Sequence, residues 1–242
     1  MNAPLPTRRD EAWRYSDIAA VEAAWPLPAP ENVMVPAGGK FARAIIQDSG
    51  SIHQINLTIG KGGKAAVDVL NIGGDYGRVE LNVILHDGAD FKLAGVQLGA
   101  GNQTLEIITN VTHAEPNATS SQIIRNVLAG KATGSYLGKV AVARDAQKTD
   151  SEQSVKAMLL DRTATANAKP ELEIYADDVL CAHGATVGEL DDAALYYLAS
   201  RGLPPAEAKK LLLQAFVAGV FDGAADEAML TEKALAKLGE LV

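Results

Sequence analysis

A cysteine and a histidine two positions apart are the residues of this chain whose types and spacing suit chemistry best. The segment 181–186 reads Cys-Ala-His-Gly-Ala-Thr, and Cys181 is the only cysteine among 242 residues. In an extended strand, residues i and i+2 project from the same face, about 6 to 7 Å apart. The thiol of Cys181 and the imidazole of His183 can therefore act together, as ligands or as a nucleophile beside a base.

One cysteine and one histidine cannot form a closed metal site. A structural zinc or an iron–sulfur cluster takes about four protein ligands, so a metal held here needs ligands from a second chain or is held only in passing. The residues alone leave three roles open for Cys181 and His183: inert packing, the handling of metal or sulfur, or a cysteine nucleophile with its histidine. Leu180 and Ala182 lie on one face of the strand and Cys181 and His183 on the other, and the sequence does not decide which of the two faces points to the core.

The composition indicates a folded, acidic protein and argues against nucleic acid as a partner. The chain is 48% hydrophobic and 21% charged, with a formal net charge of -8 and no cluster of basic residues, whereas a phosphate backbone requires a basic face. The apolar segment 211–221 is shorter than the roughly 20 residues that span a bilayer, so no membrane association is expected. The first nine residues lack the apolar stretch of a secretory signal, which predicts a cytoplasmic protein.

Several catalytic signatures are missing from the sequence. The glycine-rich segments 60–64 and 130–134 lack the glycine spacing and the following Ser or Thr of a phosphate loop, so we expect no nucleotide to bind this chain. Neither a Gly-x-Ser-x-Gly elbow nor a His-Glu-x-x-His motif occurs. Segments 86–87 and 113–115 each combine a histidine with a carboxylate, but both lie in turn-like stretches where solvated polar residues are usual.

The elements that must position Cys181 and His183 are predominantly strands. Segments 55–59, 79–85 and 105–108 are short alternating or apolar runs, and turns rich in glycine, proline or aspartate separate such runs. No convincing helical pattern interrupts them over some 145 residues, which makes a βαβ fold improbable. A β-sandwich, a jelly roll and a β-helix remain, and a solenoid fits the long series of strands and glycine turns.

Helical patterns occupy both ends of the chain. Before the strands, Ser16 is predicted to cap a short helix that Pro26 stops, and the proline run 26–30 forms an extended linker. After them, Asp191 and Asp192 can cap a helix that ends at Gly202 in a left-handed conformation.

A second helix follows from Pro204 and Pro205, and Asp226 can cap a third. The second helix is apolar on more than one face, which predicts either a buried helix or a surface offered to a partner. One apolar stripe comprises Ala208, Leu211, Leu212, Ala215, Phe216 and Val220, and Leu213, Val217 and Phe221 widen it.

The run 169–188, which contains Cys181 and His183, resembles the signature of the SufB/SufD family of iron–sulfur cluster assembly proteins. The Cys-x-His-Gly-Ala-Thr form resembles the SufD branch, because SufB-like chains carry a Glu-His-Glu-Ala-Thr type of segment there. The resemblance spans nearly the whole chain, with further matches at 9–17, 113–120, 130–138, 146–150, 190–202 and 206–221.

The resemblance implies a right-handed parallel β-helix core followed by a carboxyl-terminal helical domain. We expect residues 1–32 to form a short amino-terminal helical segment with its proline-rich linker, 33–178 the β-helix, and 179–242 the helical domain. The family also implies a non-enzymatic scaffold that pairs with a SufB-like subunit and docks a SufC-like ABC ATPase. Because the Trp-Arg-Tyr motif begins close to Met1, the amino-terminal helical region of longer members is expected to be short or absent.

By the same resemblance, His183 is the leading candidate ligand for iron or for a transient iron–sulfur cluster at the partner interface, with Cys181 beside it. A homodimer through the β-helix would bring two copies of His183 near one axis. The alternatives are a cysteine-dependent hydrolase or transferase using Cys181 and His183 and, more distantly, a β-helix enzyme acting on polysaccharide. The ATPase docking region would include Leu211, Leu212, Phe216 and Val220.

Overall fold

The computed structural model describes residues 4–242, and within them twelve strands form two parallel six-stranded sheets. One sheet has the order β1-β3-β5-β7-β9-β11, and the other has the order β12-β10-β8-β6-β4-β2, so the chain alternates between the sheets. This arrangement confirms the predicted β-helix. The strands are β1 (Glu31–Val35), β2 (Lys40–Gln47), β3 (Ile52–Ile59), β4 (Lys64–Asn71), β5 (Tyr76–Leu85), β6 (Asp90–Gly99), β7 (Thr104–His113), β8 (Thr119–Leu128), β9 (Thr133–Val142), β10 (Asp150–Leu159), β11 (Thr165–Ile174) and β12 (Leu180–Gly188).

Stacked columns of apolar side chains fill the β-helix. The register aligns Leu57 with Val83, Val83 with Val111, Val111 with Val140, and Val140 with Leu172. The first four of these residues are at most 1% exposed. Because side chains alternate along a strand, one such residue at every second position suffices to build the core, and each buried aliphatic side chain contributes about 1.5 to 3 kcal/mol.

The turns between the two sheets stack at one corner of the solenoid. Gly88 has a φ of +64°, and its N–H donates to the carbonyl oxygen of Pro116 in the next turn at 3.0 Å. Asn117 occupies the equivalent place with a φ of +61°, and its N–H donates to the carbonyl oxygen of Gln147. Glycine and asparagine are the residues that adopt this left-handed conformation most readily, so the turn signals of the sequence have a direct physical basis.

An asparagine ladder runs along the outer face of the odd-numbered sheet. The side-chain amide of Asn56 donates to Asn32, that of Asn82 to Asn56, and that of Asn110 to Asn82, at 3.0, 3.1 and 2.9 Å. The two inner amides, of Asn56 and Asn82, each donate to the coil before and accept from the coil after. The ladder therefore fixes the register of four successive coils through side chains as well as through the backbone.

The residues before the first strand form a strap across the odd-numbered sheet, which we define as the 3-10 turn Glu11–Trp13 together with helix α1 (Ile18–Ala23). Asp17 caps α1 through the amides of Ala19 and Ala20, so the prediction that Ser16 caps it is wrong. The hydroxyl of Ser16 instead donates to the carboxylate of Glu106, because that buried carboxylate offers a stronger acceptor.

A buried ion pair anchors this strap. Arg78 is fully buried, lies 3.0 Å from Glu106, donates to the carbonyl oxygen of Ala12 at 2.8 Å, and lies under the ring of Trp13 at 3.9 Å. In the same 3-10 turn, Glu11 pairs with Lys169 of β11. The strap therefore spans the sheet from β5 to β11.

Three helices follow the strands: α2 (Asp192–Ser200), α3 (Pro205–Val217) and α4 (Glu227–Glu240). Asp191 caps α2 through the amide of Ala193, and Gly202 has a φ of +90° just after that helix, as the sequence predicted. Asp226 directly precedes α4 but its side chain makes no capping hydrogen bond, so the prediction that it caps this helix is wrong. Among residues 4–242, no helix is long and apolar enough to cross a membrane.

Helices α3 and α4 pack on the outer face of the even-numbered sheet, where their apolar residues meet a second core cluster. The strand series continues past the predicted division at residues 178 and 179, because β12 occupies Leu180–Gly188 and pairs with β10. The proposed domain of residues 179–242 thus begins with the last strand of the solenoid. The first three residues of the proposed segment 1–32 lie outside the described residues.

Candidate functional site

The carboxyl-terminal end of the β-helix is open, and Cys181 and His183 lie on it. Strands β11 and β12 are the last strands of their sheets, so each pairs with a neighbour on one side only. Every residue of β12 except the half-buried Cys181 is exposed, whereas the residues of β9 are all buried or half-buried. An edge strand of this kind presents unpaired N–H and C=O groups that can pair with another chain.

The strand register shows which face of β12 carries the pair. Cys181 aligns with Ser151 and His183 with Gln153 of β10. Ser151 and Gln153 are each only 1% exposed, because they point into the β-helix. Aligned residues of parallel strands share a face, so Cys181 and His183 belong to the inward-facing columns. They are accessible because no further coil covers them among the described residues.

A column of hydrogen-bonded side chains continues beneath Cys181. The hydroxyl oxygens of Ser151 and Ser120 are 2.9 Å apart, and that of Ser120 lies 2.9 Å from Nε2 of His113. His113 is fully buried, and desolvation lowers its pKa to about 4. The prediction that His113 is a solvated turn residue is therefore wrong, since it is a neutral histidine inside the solenoid.

The thiol of Cys181 is not activated in this arrangement. Burial raises its pKa, the negative charge of Asp150 raises it further, and only the backbone of Ser151 opposes this shift. A cysteine nucleophile depends on its thiolate, so a raised pKa disfavours the hydrolase or transferase alternative. The structure also shows no hydrogen bond between Cys181 and His183, although both are within the described residues.

Ligands for a complete metal site are not gathered anywhere in residues 4–242. No group of three or more His, Cys, Asp or Glu side chains in that range is arranged to hold a metal ion. Cys181 and His183 therefore amount to two adjacent donors on an edge. Such a pair can contribute to a site that a second chain completes, which is the arrangement the sequence suggested.

The other histidine and carboxylate candidates form a link between two turns. Nδ1 of His86 lies 3.0 Å from Glu115, whose second oxygen accepts the backbone N–H of Asp87 at 2.9 Å. That N–H, followed by His86, lowers the pKa of Glu115. Because His86 and Glu115 are both substantially exposed, this contact is a solvated link between successive coils rather than an acid–base site.

The predicted partner-binding stripe divides between two environments. Leu211 is 46% exposed, whereas Phe216 and Val220 are half-buried and pack against the second core cluster. Leu212 is also half-buried. The buried residues of α3 are Ala208 from the predicted stripe and Leu213 and Val217 from the residues that widen it, and Phe221 is buried just after the helix.

A cavity of about 430 Å³ lies between α3 and α4. Leu211 and Ala215 line it from α3, and Thr231 and Leu235 line it from α4. Asp222 and Glu227 also line it. The cavity thus combines apolar and acidic side chains.

Two residues of the site escaped the sequence analysis, namely Ser151 and Gln153. A usable signal was present, because Ser-x-Gln occurs at 120–122 and at 151–153, and Cys-x-His follows at 181–183. The structure aligns all three segments in neighbouring strands of one sheet. A repeated pattern of polar residues at inward-facing positions would have placed the cysteine and histidine on the same columns.

Comparison with known protein families gives a match over most of this architecture. A family model described as SUF system FeS cluster assembly, SufBD core domain, matches residues 33–216. The matched range runs from within β1 through β12 and α2 to near the end of α3. It includes Cys181, His183 and the aligned Ser151 and Gln153.

Several curated proteins whose names include iron–sulfur cluster assembly are similar to this chain. The iron–sulfur cluster assembly protein SufD of Escherichia coli is 32% identical over 154 residues, covering 64% of this chain and 36% of that protein. SufD of Bacillus subtilis is 33% identical over 134 residues, covering 55% and 31%. A SufBD family protein of Synechocystis is 32% identical over 181 residues, covering 73% and 40%. The chain therefore matches about a third to two fifths of the length of these relatives.

Proposed function

The chain belongs to the SufBD family of iron–sulfur cluster assembly proteins, and from this we propose that it is a scaffold subunit of a cluster assembly complex. In this proposal the chain catalyses no reaction itself. It pairs with a SufB-like subunit and docks a SufC-like ATPase, which hydrolyses the nucleotide. The names of its SufD relatives support the assembly role, and the partners follow from the family resemblance.

The open carboxyl-terminal coil is the observation that carries this proposal. Its two edge strands have unpaired backbone groups, and its inward-facing columns end in Cys181 and His183. The same edge carries exposed apolar residues, namely Tyr175 before β12 and Leu180 and Val187 within it, at 64%, 73% and 49% exposure. Edge strands with apolar side chains are a ready surface for another β-helix. A SufB-like edge docked there would cover the pair and add the missing ligands.

The cargo of the proposed interface is iron or an iron–sulfur cluster, held transiently and shared with the partner. His183 is the leading ligand, because it is exposed on the inward-facing column and can turn towards a docked chain. Cys181 is its neighbour, and its raised pKa means that it binds iron only when the metal displaces its proton. The balance between the two donors therefore favours the imidazole.

The helical region is the proposed docking surface for the ATPase. Leu211 is exposed beside the apolar cavity between α3 and α4, and Leu212, Phe216 and Val220 are half-buried on the same helix and the turn after it. Leu211 is therefore the residue of this set most available to a partner. We propose that the chain binds no nucleotide and that the ATPase provides that site.

Two further features belong to the same proposal. A single free thiol suits the reducing environment of the cytoplasm, which is the proposed compartment. A homodimer through the open coil is the proposed assembly of the chain in the absence of its partner, since the same edge would then meet a second copy.

Co-expression with the SufB-like and SufC-like chains of the same organism tests the proposal. We expect one complex on gel filtration and a brown, absorbing species after anaerobic reconstitution with iron and sulfide. His183→Ala should leave the complex intact and reduce the absorbing species severalfold, because a ligand is lost.

The matched control is His53→Ala, which removes an exposed histidine of β3, far from the open coil along the chain. It should behave as the unaltered protein in both assays. Absence of any complex would overturn the scaffold proposal, and equal cluster yields from the two variants would overturn the role of His183.

A further inference from the structure

A network of buried polar side chains crosses the interior of the β-helix directly below His183. Thr109 and Tyr136 both donate to Oε1 of Gln122, at 2.7 and 3.0 Å. The side-chain amide of Gln153 donates to the hydroxyl of Tyr136 at 2.9 Å. All four side chains are at most 1% exposed. The network thus rises from β7 to β10 and ends one strand below β12.

Space for this network is provided by a glycine. A Cβ atom at position 138 would lie 2.1 Å from the hydroxyl of Tyr136, so a side chain there would displace it. Burial raises the pKa of Tyr136 to about 12, which keeps its hydroxyl protonated and able to donate. Polar groups inside an apolar core cost free energy unless they are paired. The presence of four hydrogen-bonded polar side chains here therefore needs an explanation other than apolar packing.

The upper end of the network has one unpaired acceptor. Nε2 of Gln153 also donates to the carbonyl oxygen of Gly138 at 3.0 Å. A carbonyl can only accept, so the atom facing Gly138 must be the amide nitrogen, and the other atom of this carboxamide must be the oxygen. That oxygen, Oε1, is buried and has no hydrogen-bond partner.

His183 is the residue aligned with Gln153 in the next strand, on the same inward-facing column. Neighbouring strands are about 4.8 Å apart, so an imidazole turned inwards comes within hydrogen-bonding reach of Oε1. In the uncovered chain His183 is exposed, so its ring can form hydrogen bonds to water instead of to Oε1. Covering the open coil would remove that water and leave Oε1 as the unpaired acceptor on the aligned residue of the next strand.

We propose that Gln153 is a positioning residue for His183: its Oε1 accepts the ring N–H when a partner covers the open coil, which leaves the other ring nitrogen free to bind iron or the cluster. The inference rests on the proposed function, because it takes His183 as the ligand. Histidine ligands commonly donate their second N–H to a neighbouring acceptor, which fixes both the tautomer and the direction of the ring. The rest of the network holds Gln153 itself, through Tyr136 and Gly138.

The test is the tautomer of His183 in the assembled complex with a SufB-like chain. Nitrogen NMR of ¹⁵N-histidine-labelled chain, at a pH where the ring is neutral, distinguishes the two tautomers. We expect one tautomer in the unaltered complex and a mixture in Gln153→Leu, which keeps the bulk of the side chain and removes the acceptor. The affinity of the complex for iron(II) alone, measured without oxygen, should fall about 10- to 100-fold in the same variant.

Gln97→Leu is the matched control, because it removes a buried glutamine of the same sheet whose hydrogen bonds, to Asn126 and Ser135, lie outside this network. It should leave the single tautomer in place. If Gln153→Leu fails to fold, Gln153→Met provides the same readout with a shape nearer to glutamine. A single tautomer in a complex that forms with the Gln153 variant would overturn the positioning role alone. Failure of the chains to associate would instead contradict the proposed function.

Discussion

The two ends of the β-helix are edges of the same two sheets, but they are finished differently. At the amino-terminal end, β1 has only five residues, follows the proline run 26–30, and carries an ion pair between Glu31 and Arg43 at 2.6 Å. At the carboxyl-terminal end, β11 and β12 have ten and nine residues, and Leu180 and Val187 are exposed. A short edge strand preceded by prolines, such as β1, resists pairing with other chains, so the difference supports a partner at the carboxyl-terminal end.

The same contrast separates residues that stabilise the fold from residues that can serve a partner. The anchor of the strap, Arg78 with Glu106, is buried in the amino-terminal half, whereas His183 on the open coil is exposed. Substitutions in the first region should lower the free energy of unfolding, and substitutions in the second should weaken association instead.

The largest effect is expected from Arg78→Met. It leaves the carboxylates of Glu106 and Glu80 without their shared cation, which should reduce the free energy of unfolding by about 3 to 5 kcal/mol in urea denaturation. The double variant with Glu106→Gln should recover part of this loss, and His183→Ala should change stability by less than about 0.5 kcal/mol. A comparable destabilisation by His183→Ala would break the contrast between the two regions.

Association should respond most strongly to a charge on the open coil. Val187→Asp places a carboxylate on the inward-facing column of β12, and we expect it to weaken binding to a SufB-like chain about 100-fold, or about 2.7 kcal/mol. Met34→Asp is the control, since Met34 is 70% exposed on the edge strand at the other end. Titration calorimetry measures both, and equal losses would show that the two ends do not differ.

A smaller effect, dependent on pH, is expected at Asp68 in β4. Burial raises its pKa to about 6, above the ordinary value of 3.8 that applies in the unfolded chain. The folded state therefore binds the proton more tightly, and its contribution to stability is present below pH 3.8 and is lost as the pH rises through 6. Asp68→Asn should raise the free energy of unfolding by about 2 kcal/mol at pH 8 relative to its effect at pH 4.

Urea denaturation of both proteins at several pH values between 4 and 8 measures this difference. Asp68 lies two residues before Leu70, which packs against the carboxyl-terminal helices, so this effect is expected away from the open coil. A benefit of Asp68→Asn that is the same at every pH would mean that the carboxylate is not the cause.

The smallest effect is expected at Cys181. Its raised pKa should make alkylation by iodoacetamide at pH 7.5 several times slower, roughly threefold or more, than that of the same thiol in urea. Mass spectrometry follows the reaction. Faster alkylation in the folded chain would favour the cysteine nucleophile and would contradict the interpretation of Cys181 as an unactivated thiol at an interface.

The sequence predicts the solenoid well, because both of its local signals survive in the structure. The alternating run 79–85 lies in β5, and the turn glycines Gly62 and Gly88 have left-handed backbones. By contrast, the sequence predicts Ser16 as the cap of α1, whereas the structure shows Asp17 there. The hydroxyl of Ser16 donates to the carboxylate of Glu106, which is distant in the sequence. That acceptor is brought close only by the fold, so local pattern could not reveal it.

The site follows the same division. The spacing of Cys181 and His183 predicts that they share a face, but it cannot tell which face, because both alternatives satisfy the alternation. Only pairing with Ser151 and Gln153 shows that they face inwards. Likewise, the exposure of Leu211 depends on which side of α3 meets the sheet, and an all-round apolar helix does not specify it.

The asparagine ladder has a consequence for how such proteins can change in length. Asn56, Asn82 and Asn110 each make the same contact with the rung before, so the hydrogen bonds of the ladder do not distinguish one of these coils from the next. A coil that carries an asparagine at this position can therefore be added within the ladder without altering its hydrogen bonds on either side. Evolution can therefore vary the reach of the solenoid, and so the distance between its two ends, while the last strand keeps its cysteine and histidine unchanged.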